Sequence, residues 1–350
     1  MKHSARILVT GGTGFLGGYV ERELAKSTDV KFRATFLTRK DSSQKSRLTG
    51  DLTSWNAGLD LSKYKGKFDA VLHMAGLYDL RVAREDATLH NIAGTHTALT
   101  IAQTCEIPTF IHISTVAVTM PAGVAASPVA SDAVFSGPFT DYYAETKSNA
   151  EKMVRQWDTE FPKRKLILRP GILIGDTQGS AIPRIDGPYH AIDAFRRLRP
   201  LLHSWRGFLP LPGQAETRVP LVPVDAAAAA ICRLTELFLI EGANPNSSAV
   251  ESYYVSDGGG PTIDALYASA LRALGLDHRV QLIPKAPQGL IKPLAEWVAR
   301  LPREELEYVL NLPKLDTSKT VEKLGADFFP SFERYESKLW SGYHAFIQNR

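Results

Sequence analysis

A tyrosine and a lysine four residues apart, Tyr143 and Lys147, are the side chains here whose types and spacing suggest acid–base chemistry. Positions four apart lie on one face of a helix, so the Lys147 ammonium is expected beside the Tyr143 phenol. A nearby positive charge lowers the pKa of a tyrosine from its usual value of ~10. A phenol tuned in this way exchanges a proton with a carbonyl or alcohol oxygen. The alternative is a pair on an ordinary helix surface; Tyr142 has no lysine four residues further on.

Two adjacent hydroxyl side chains, Ser114 and Thr115, follow the apolar run Phe110–Ile113, which is typical of a buried strand. The carboxyl ends of parallel strands face one crevice, where ligands bind in such sheets. Either hydroxyl is therefore placed to hydrogen-bond a reacting oxygen and to hold it against Tyr143. The alternative is a Ser/Thr pair that only caps the turn after the strand.

A glycine-rich turn near the start of the chain predicts a nucleotide site. It lies between the apolar run Ile7–Val9 and a segment with helical apolar spacing. Glycines in such a turn permit a tight bend, close approach of a pyrophosphate and close helix–strand packing. Amides at the helix N-terminus then meet the phosphates. The predicted contacts are Gly11, Thr13, Gly14, Phe15, Leu16 and Gly17. Glycines also serve ordinary turns, which is the alternative.

Strands alternate with helices along the first half of the chain. The predicted strands after the first are 31–38, 47–51, 70–73, 109–114 and 165–169, with helices over 84–104 and 141–161. This alternation predicts βαβ units and an α/β fold with a doubly wound, mainly parallel sheet. We predict a nucleotide-binding domain over 1–175, whose framework returns near 215–240 with a helix over 225–239. Residues 176–350, rich in proline and glycine at first, are expected to form most of a smaller substrate-binding region.

Composition excludes several classes of protein. The 350 residues are 44% hydrophobic and 22% charged, as in ordinary globular domains. A net charge of +4 without a long basic run argues against nucleic acid as a partner. The sequence has no apolar run long enough for a bilayer, no signal peptide pattern and no spacing typical of metal ligands. Cys105 and Cys232 are expected to be buried, reduced thiols, and the expected location is cytoplasmic.

The glycine turn, the Ser-Thr pair, the Tyr-Ala-Glu-Thr-Lys segment and Arg169-Pro-Gly171 occur here in the order typical of one family. Over roughly residues 5–240 the chain resembles the extended short-chain dehydrogenase/reductases. The resemblance implies a Rossmann-type domain, a nicotinamide dinucleotide and a Thr/Ser–Tyr–Lys catalytic set. It implies Tyr143 as the acid/base and Lys147 as the group that tunes it and holds the nicotinamide ribose. It also implies Thr115 as the substrate-polarising hydroxyl, with Ser114 as the fallback.

The same resemblance extends to other positions. Asn91 matches the family's mid-helix asparagine near the active site, with a solvent-facing helix residue as the alternative. The remaining cofactor contacts implied are Asp51 and Leu52 at the adenine, Ala75 and Gly76 at the adenine ribose, and Pro170 and Gly171.

The end of the second strand predicts which nicotinamide is bound. NAD sites usually place an acidic residue there, about 20 residues beyond the glycines. This chain has Arg39 and Lys40 instead, with no acid before Asp41. Because an arginine suits a 2′-phosphate, the prediction is NADP(H). A solvated basic turn is the alternative.

Several segments narrow the resemblance to one branch of the family. Gly50-Asp-Leu-Thr, His73-Met-Ala-Gly and Val219-Pro-Leu-Val-Pro-Val-Asp225 are similar to thioester reductase domains and fatty acyl-CoA reductases. The implied substrate is an apolar carbonyl compound, a fatty acyl thioester or aldehyde, carried by CoA or by a separate carrier protein. The alternatives are a sugar-nucleotide epimerase or dehydratase, a ketone or hydroxysteroid-type dehydrogenase, and a non-catalytic NADP(H)-sensing protein.

The segment 195–212 mixes cations with large apolar side chains. We interpret it as an amphipathic helix that packs on its domain and exposes a basic face. A site for a pantetheine phosphate or a peripheral contact with a membrane surface is the alternative, and Trp205 and Phe208 are candidate walls of an apolar pocket. By analogy with the family, a homodimer would use the helices near 84–104 and 143–161.

Overall fold

The computed structural model describes residues 3–41, 43–120, 128–180, 182–205, 207–243, 250–283, 308 and 312–349. Strands in chain order are β1 His3–Thr10, β2 Val30–Thr38, β3 Arg47–Thr49, β4 Ala70–His73, β5 Thr109–Ile113, β6 Val129–Ala130, β7 Arg164–Pro170, β8 Ile172–Ile174, β9 Leu209–Pro212, β10 Leu221–Pro223, β11 Val250–Val255, β12 Val280–Ile283 and β13 Leu315–Asp316. Helices are α1 Phe15–Lys26, α2 Arg84–Ala87, α3 Gly94–Thr104, α4 Tyr142–Gln156, α5 Pro188–Ser204, α6 Val224–Ile240, α7 Ile263–Ala273, α8 Ser318–Leu324 and α9 Phe332–Gln348.

Seven of the strands form one parallel sheet in the order β11-β7-β5-β4-β1-β2-β3. The order reverses direction at β1, because β2 lies on one side of it and β4 on the other. A crevice therefore opens at the carboxyl ends of β1 and β4, as in other doubly wound sheets. This arrangement confirms the predicted α/β fold.

Apolar side chains on both faces of the sheet hold it between two layers of helices. Along β1, Ile7 and Val9 pack with α1 and α6, whereas Leu8 packs with α3 on the opposite face. This alternation follows from the two-residue period of a strand. Because both faces are buried, the strands read in sequence as continuous apolar runs.

The second hydrophobic core lies outside the sheet and is built by α5, α7 and α9. Phe195, Tyr267 and Trp340 are among its buried side chains. Two short parallel pairs border this core. The pair β8–β10 packs against both the main core and the second core, whereas β9–β12 packs against the second core. A third short pair joins β6 to β13.

Several elements differ in extent from the sequence predictions. The predicted helix over 84–104 is interrupted at Thr88–Ala93, where the backbone forms a π-helical segment. The helix predicted to start at 141 ends at Gln156. Segment 195–212 is not one amphipathic helix, since α5 ends at Ser204 and β9 begins at Leu209. The edge strand β11 lies outside both ranges predicted for the nucleotide-binding framework. Among the helices of the described ranges, none has both the length and the apolar character to cross a membrane.

Candidate active site

A cleft of about 480 Å³ lies at the carboxyl ends of the central strands. One wall is the glycine turn after β1, and the floor is the chain after β4 and β5. Helix α4 supplies Tyr143 and Lys147, and residues within 170–175 and 182–189 close the opposite side. The cleft is therefore assembled from segments that are far apart in sequence.

The glycine turn leaves no space for side chains where it meets the sheet. Gly11 has φ +75°, and a Cβ there would lie 2.6 Å from the backbone nitrogen of Ala75. A Cβ on Gly17 would lie 2.6 Å from the backbone carbon of Gly12. Gly12 was not among the predicted contacts, yet a Cβ there would overlap the Phe36 ring. Each of these positions therefore requires glycine to keep α1 close against the sheet.

Helix α1 begins after Gly14 without a side-chain cap. Its first-turn amides thus have no hydroxyl or carboxylate of their own helix to satisfy them, and they lie beside a cleft lined by Gly11, Gly14 and Phe15. Backbone amides with the positive end of a helix dipole favour phosphate groups. The turn therefore fits the pyrophosphate of a dinucleotide, both in shape and in charge.

Tyr143 lies in the cleft wall with 8% of its surface exposed. Burial raises the pKa of its phenol well above the usual value, and a hydrogen bond with the Thr115 side chain opposes that rise. Asp141 and Asp186 raise the pKa further through their negative charges. The phenol is therefore held in its protonated form, ready to donate.

Lys147 does not act on Tyr143 as the sequence analysis expected. Its Nζ donates to the backbone carbonyl of Ile113 at 2.7 Å, which anchors the ammonium at the end of β5. Burial lowers the pKa of Lys147 to about 8, against the opposing charge of Glu151. Because desolvation dominates at the phenol, the pKa of Tyr143 is raised and not lowered, and Lys147 is not among the groups with the largest effects on it.

The two candidate hydroxyls have different partners. Ser114 Oγ donates to Glu151 Oε2 at 2.6 Å, away from the phenol. Thr115 instead contacts Tyr143 and accepts a hydrogen bond from the Ala117 amide at 3.2 Å. The structure therefore brings Thr115 to the phenol and engages Ser114 in a buried network.

That buried network centres on Glu151, one turn after Lys147 on α4. Its carboxylate accepts from Arg169 Nε at 3.0 Å and Nη2 at 2.6 Å, and from Arg155 Nε at 2.8 Å. Arg169 and Glu151 have side-chain exposures of only 1% and 3%. Burial alone would raise the pKa of Glu151, but the hydrogen bonds and charge of Arg169 hold it below its usual value. The network joins the ends of β5 and β7 to α4, beneath the cleft.

Asn91 lies inside the π-helical segment and is buried, with 1% of its surface exposed. Its Oδ1 accepts from the Leu77 amide at 2.7 Å, and its Nδ2 donates to the Leu77 carbonyl and to Thr146 Oγ1. Asn91 is therefore not the solvent-facing residue of the alternative interpretation. It ties the chain after β4 to α4, and π segments of this kind are frequent at functional sites.

The predicted adenine end lies at the end of β2. Arg39 and Lys40 are exposed there. A hydrogen bond from the Thr53 amide is the main cause that lowers the pKa of Asp51, and the positive charge of Arg39 makes a smaller contribution. Leu52 is partly buried near Gly94, and the Ala75 amide donates to Thr10 Oγ1 at 3.3 Å. At the other end, Gly76, Pro170 and Gly171 line the cleft directly.

A cluster that no sequence motif indicated faces Tyr143 across the cleft. The Tyr78 ring lies edge-on to the Tyr143 ring, with centroids 4.9 Å apart. Tyr78 donates to Asp186 at 3.1 Å, and Arg184 donates to Asp186 and to the Tyr78 carbonyl. The partners are separated by 106 and 108 residues, and no local spacing could have indicated them. Tyr308 also lines the cleft and donates to Asp141 Oδ2 at 2.9 Å.

Two other sequence candidates lie elsewhere. Trp205 and Phe208 are exposed and line a separate groove with His278 and Arg279, not the cleft that contains Tyr143. Both cysteines are buried and unpaired.

A stacked histidine pair lies beneath the site. His73 and His112 are fully buried, with ring centroids 5.6 Å apart. His73 bonds Thr10 at 2.8 Å and Thr95 at 3.0 Å. Burial lowers the pKa of His73 to about 3, with a smaller contribution from the Lys147 charge. Both rings are therefore neutral near physiological pH.

Comparison with known proteins identifies a matching family and a similar reductase. Residues 7–236 match the family described as NAD dependent epimerase/dehydratase. A 2-alkyl-3-oxoalkanoate reductase of Shewanella oneidensis (strain MR-1) is 23% identical over 310 residues, covering 86% of this chain and 74% of the relative.

Solved structures share the fold. The terminal R domain of the myxalamid PKS-NRPS biosynthetic pathway superposes with a TM-score of 0.74 at 22% identity, covering 99% of this chain and 93% of that one. The Bordetella bronchiseptica enzyme WbmH, solved with NAD+, has a TM-score of 0.62 at 17% identity, with 98% and 99% covered.

Proposed function

Because this chain belongs to the NAD dependent epimerase/dehydratase family and is an NAD(P)-dependent oxidoreductase of the short-chain dehydrogenase/reductase type, we propose that it reduces the carbonyl of an apolar substrate with NADPH. The observation that carries the proposal is the Tyr143–Thr115 pair in the cleft beside the glycine turn. The proposed location is the cytoplasm, where its two unpaired thiols stay reduced.

The chemistry assigned to the site is general acid catalysis. When bound, the dinucleotide supplies a hydride for the carbonyl carbon. Tyr143 donates its phenolic proton to the carbonyl oxygen, and Thr115 holds that oxygen by a hydrogen bond. A protonated Tyr143, as burial favours here, is the form that reduction requires.

Lys147 and the glycine turn are assigned to the cofactor. The turn would hold the pyrophosphate, and the Lys147 ammonium would hold the nicotinamide ribose from its anchor on Ile113. Asn91 keeps the chain around Gly76 and Leu77 in place beside it. Arg39 and Lys40 are assigned to the 2′-phosphate, which makes NADP(H) the proposed cofactor.

The cleft supports an apolar substrate. Its wall beyond Tyr143 includes Leu80, Val116, Ile182 and Pro183. The fatty acyl thioester or aldehyde expected from sequence fits such a wall. A ketone is the second candidate, since the relative from Shewanella is named as a reductase of 2-alkyl-3-oxoalkanoates.

Substitution of the acid tests the catalytic assignment. Tyr143→Phe should lower kcat by roughly 10²–10⁴-fold, because the substitution removes the proton donor while leaving the ring. NADPH affinity, measured by fluorescence titration, should stay near that of the wild type. The matched control is Tyr142→Phe, since Tyr142 is 45% exposed on the same helix and should keep full turnover. Full activity in Tyr143→Phe would refute the assignment.

Cofactor choice has a separate test. Arg39→Ala should weaken NADPH binding by about tenfold or more and leave NADH binding nearly unchanged, because only NADPH carries the 2′-phosphate. The control is Arg33→Ala, which removes an exposed arginine from β2, the strand that precedes Arg39. Tightly retained NAD(H) without consumption of added NADPH would instead support an epimerase or dehydratase.

A further inference from the structure

The cleft contains a cation that the proposed chemistry does not use. Its charged lining side chains, within the described ranges, are Lys147, Arg184 and Asp186. Lys147 is anchored on Ile113 and assigned to the cofactor. Arg184 instead lies on the substrate side, in a wall that is otherwise largely apolar.

Arg184 is held in a fixed orientation. Its guanidinium lies over the Tyr78 ring, 4.7 Å from the centroid, and this stacking fixes its plane. Nε donates to Asp186 Oδ2 at 3.2 Å and Nη2 donates to the Tyr78 carbonyl at 2.9 Å. A guanidinium has five N–H donors, and its hydrogen bonds to the described residues use Nε and Nη2. Nη1 therefore provides donors for a further acceptor.

The position of this cation relative to the acid is also defined. The Tyr78 ring separates Arg184 from Tyr143, because Tyr78 contacts both. Burial and nearby carboxylates have the larger effects and raise the pKa of Tyr143, and the positive charge of Arg184 opposes that rise to a smaller extent. The guanidinium carbon of Arg184 and the centroid of the Tyr143 ring lie 4.7 and 4.9 Å from the centroid of the Tyr78 ring, so an anionic group bound by Arg184 would lie about one aromatic ring away from the reacting carbonyl.

We propose that Arg184 binds a carboxylate that the substrate carries a few bonds from its reacting carbonyl, so that the substrate class is the apolar oxo acids. This inference rests on the proposed reductase function and names its substrate. A planar arginine binds a carboxylate through paired, charge-assisted hydrogen bonds, which also fix the orientation of the carbonyl. The phosphate of a CoA or carrier thioester is the other anion to consider. It is separated from the thioester by the whole pantetheine chain, so it does not match a cation this close to Tyr143.

The test uses the reverse direction, because 3-hydroxy acids are stable in solution. The alcohol is oxidised to the ketone, NADP+ is reduced to NADPH, and one proton is released. The measured quantity is the ratio of kcat/KM for a medium-chain 3-hydroxyalkanoate to that for its methyl ester. The wild type should prefer the acid by about tenfold or more, the usual effect of a charged hydrogen bond. Arg184→Met should lower this ratio by about tenfold, and Arg184→Lys should keep part of it.

The matched control is Arg279→Met, which removes one exposed arginine beside the separate groove and should leave the ratio at the wild-type value. NADP+ affinity of each variant reports whether the fold is intact. A wild-type ratio near one overturns the inference, and so does an unchanged ratio in Arg184→Met. A preference for acyl-CoA over the free oxo acid in the reductive direction also overturns it, in favour of the pantetheine phosphate. If the acid, the ester, a long-chain aldehyde and acyl-CoA all fail to react, the proposed reductase function itself is wrong.

Discussion

Glu151→Gln removes the only charge that Arg169 contacts within the described hydrogen-bond network while keeping the size of the side chain. Arg169 has 1% side-chain exposure and cannot reach solvent without rearrangement. Breaking a buried ion pair by removing one partner costs about 3–5 kcal/mol, because the remaining charge is left uncompensated. A domain of ordinary stability has roughly 5–15 kcal/mol in total, so we expect a folded but clearly weakened protein.

The assay is urea unfolding at pH 7, followed by fluorescence. The matched control is Glu145→Gln on the same helix, whose ion pair with Arg84 is solvent-exposed and should contribute less than about 1 kcal/mol. The double variant Glu151→Leu with Arg169→Met should recover much of the loss, because it removes both charges of the Glu151–Arg169 pair. A cost below about 1 kcal/mol for Glu151→Gln would refute this reasoning. The reasoning would also fail if the double variant lost as much unfolding free energy as the single variants Glu151→Leu and Arg169→Met lose together.

Three further outcomes are expected. Gly17→Ala should weaken NADPH binding by about tenfold or more, since its Cβ would lie 2.6 Å from the Gly12 backbone and displace α1. The control Gly18→Ala, whose Cβ would have no atom within 4 Å, should bind NADPH normally, and equal NADPH affinities of the two variants would contradict this. The reductive kcat/KM should fall above pH about 8 as the Lys147 ammonium, whose pKa burial lowers to about 8, loses its proton, and a flat profile to high pH would exclude that role. The free energy of unfolding should fall by up to ~1.4 kcal/mol for each pH unit below the ordinary histidine pKa of ~6.5. The reason is that His73 binds a proton in the unfolded chain but stays neutral in the folded protein, where its pKa is about 3. Urea titrations at pH 7 and 5 should show a smaller fall in His73→Gln; an identical fall would rule out His73.

Six of the seven strands of the main sheet were predictable because they contain short apolar runs bounded by turn residues, whereas the edge strand Val250–Val255 was not predicted. Strands such as Ala70–His73 have their predicted bounds, since burial on both faces favours a run of mostly apolar side chains. The cluster of Tyr78, Arg184 and Asp186 could not be predicted in the same way. Its members come from loops whose contact depends on how the two cores pack, and that packing has no period in the sequence.

The electrostatics of the site were harder to predict than its composition. Helical spacing placed Tyr143 and Lys147 on one helix, but not the carbonyl of Ile113 that engages the ammonium. Nor did spacing reveal that burial would outweigh a neighbouring charge in setting the pKa of Tyr143. The difference between Ser114 and Thr115 likewise depends on Glu151, whose role no local motif indicated.

The edge strand Val250–Val255 has a consequence for synthesis of the protein. It pairs with Arg164–Pro170, yet the ribosome makes it only after α5 and α6 have emerged. Until then the edge of the nascent sheet displays unpaired amides and carbonyls, which invite association with other chains. Expression of residues 1–175 alone would make that exposure permanent, so the nucleotide-binding half is expected to aggregate when separated from the rest.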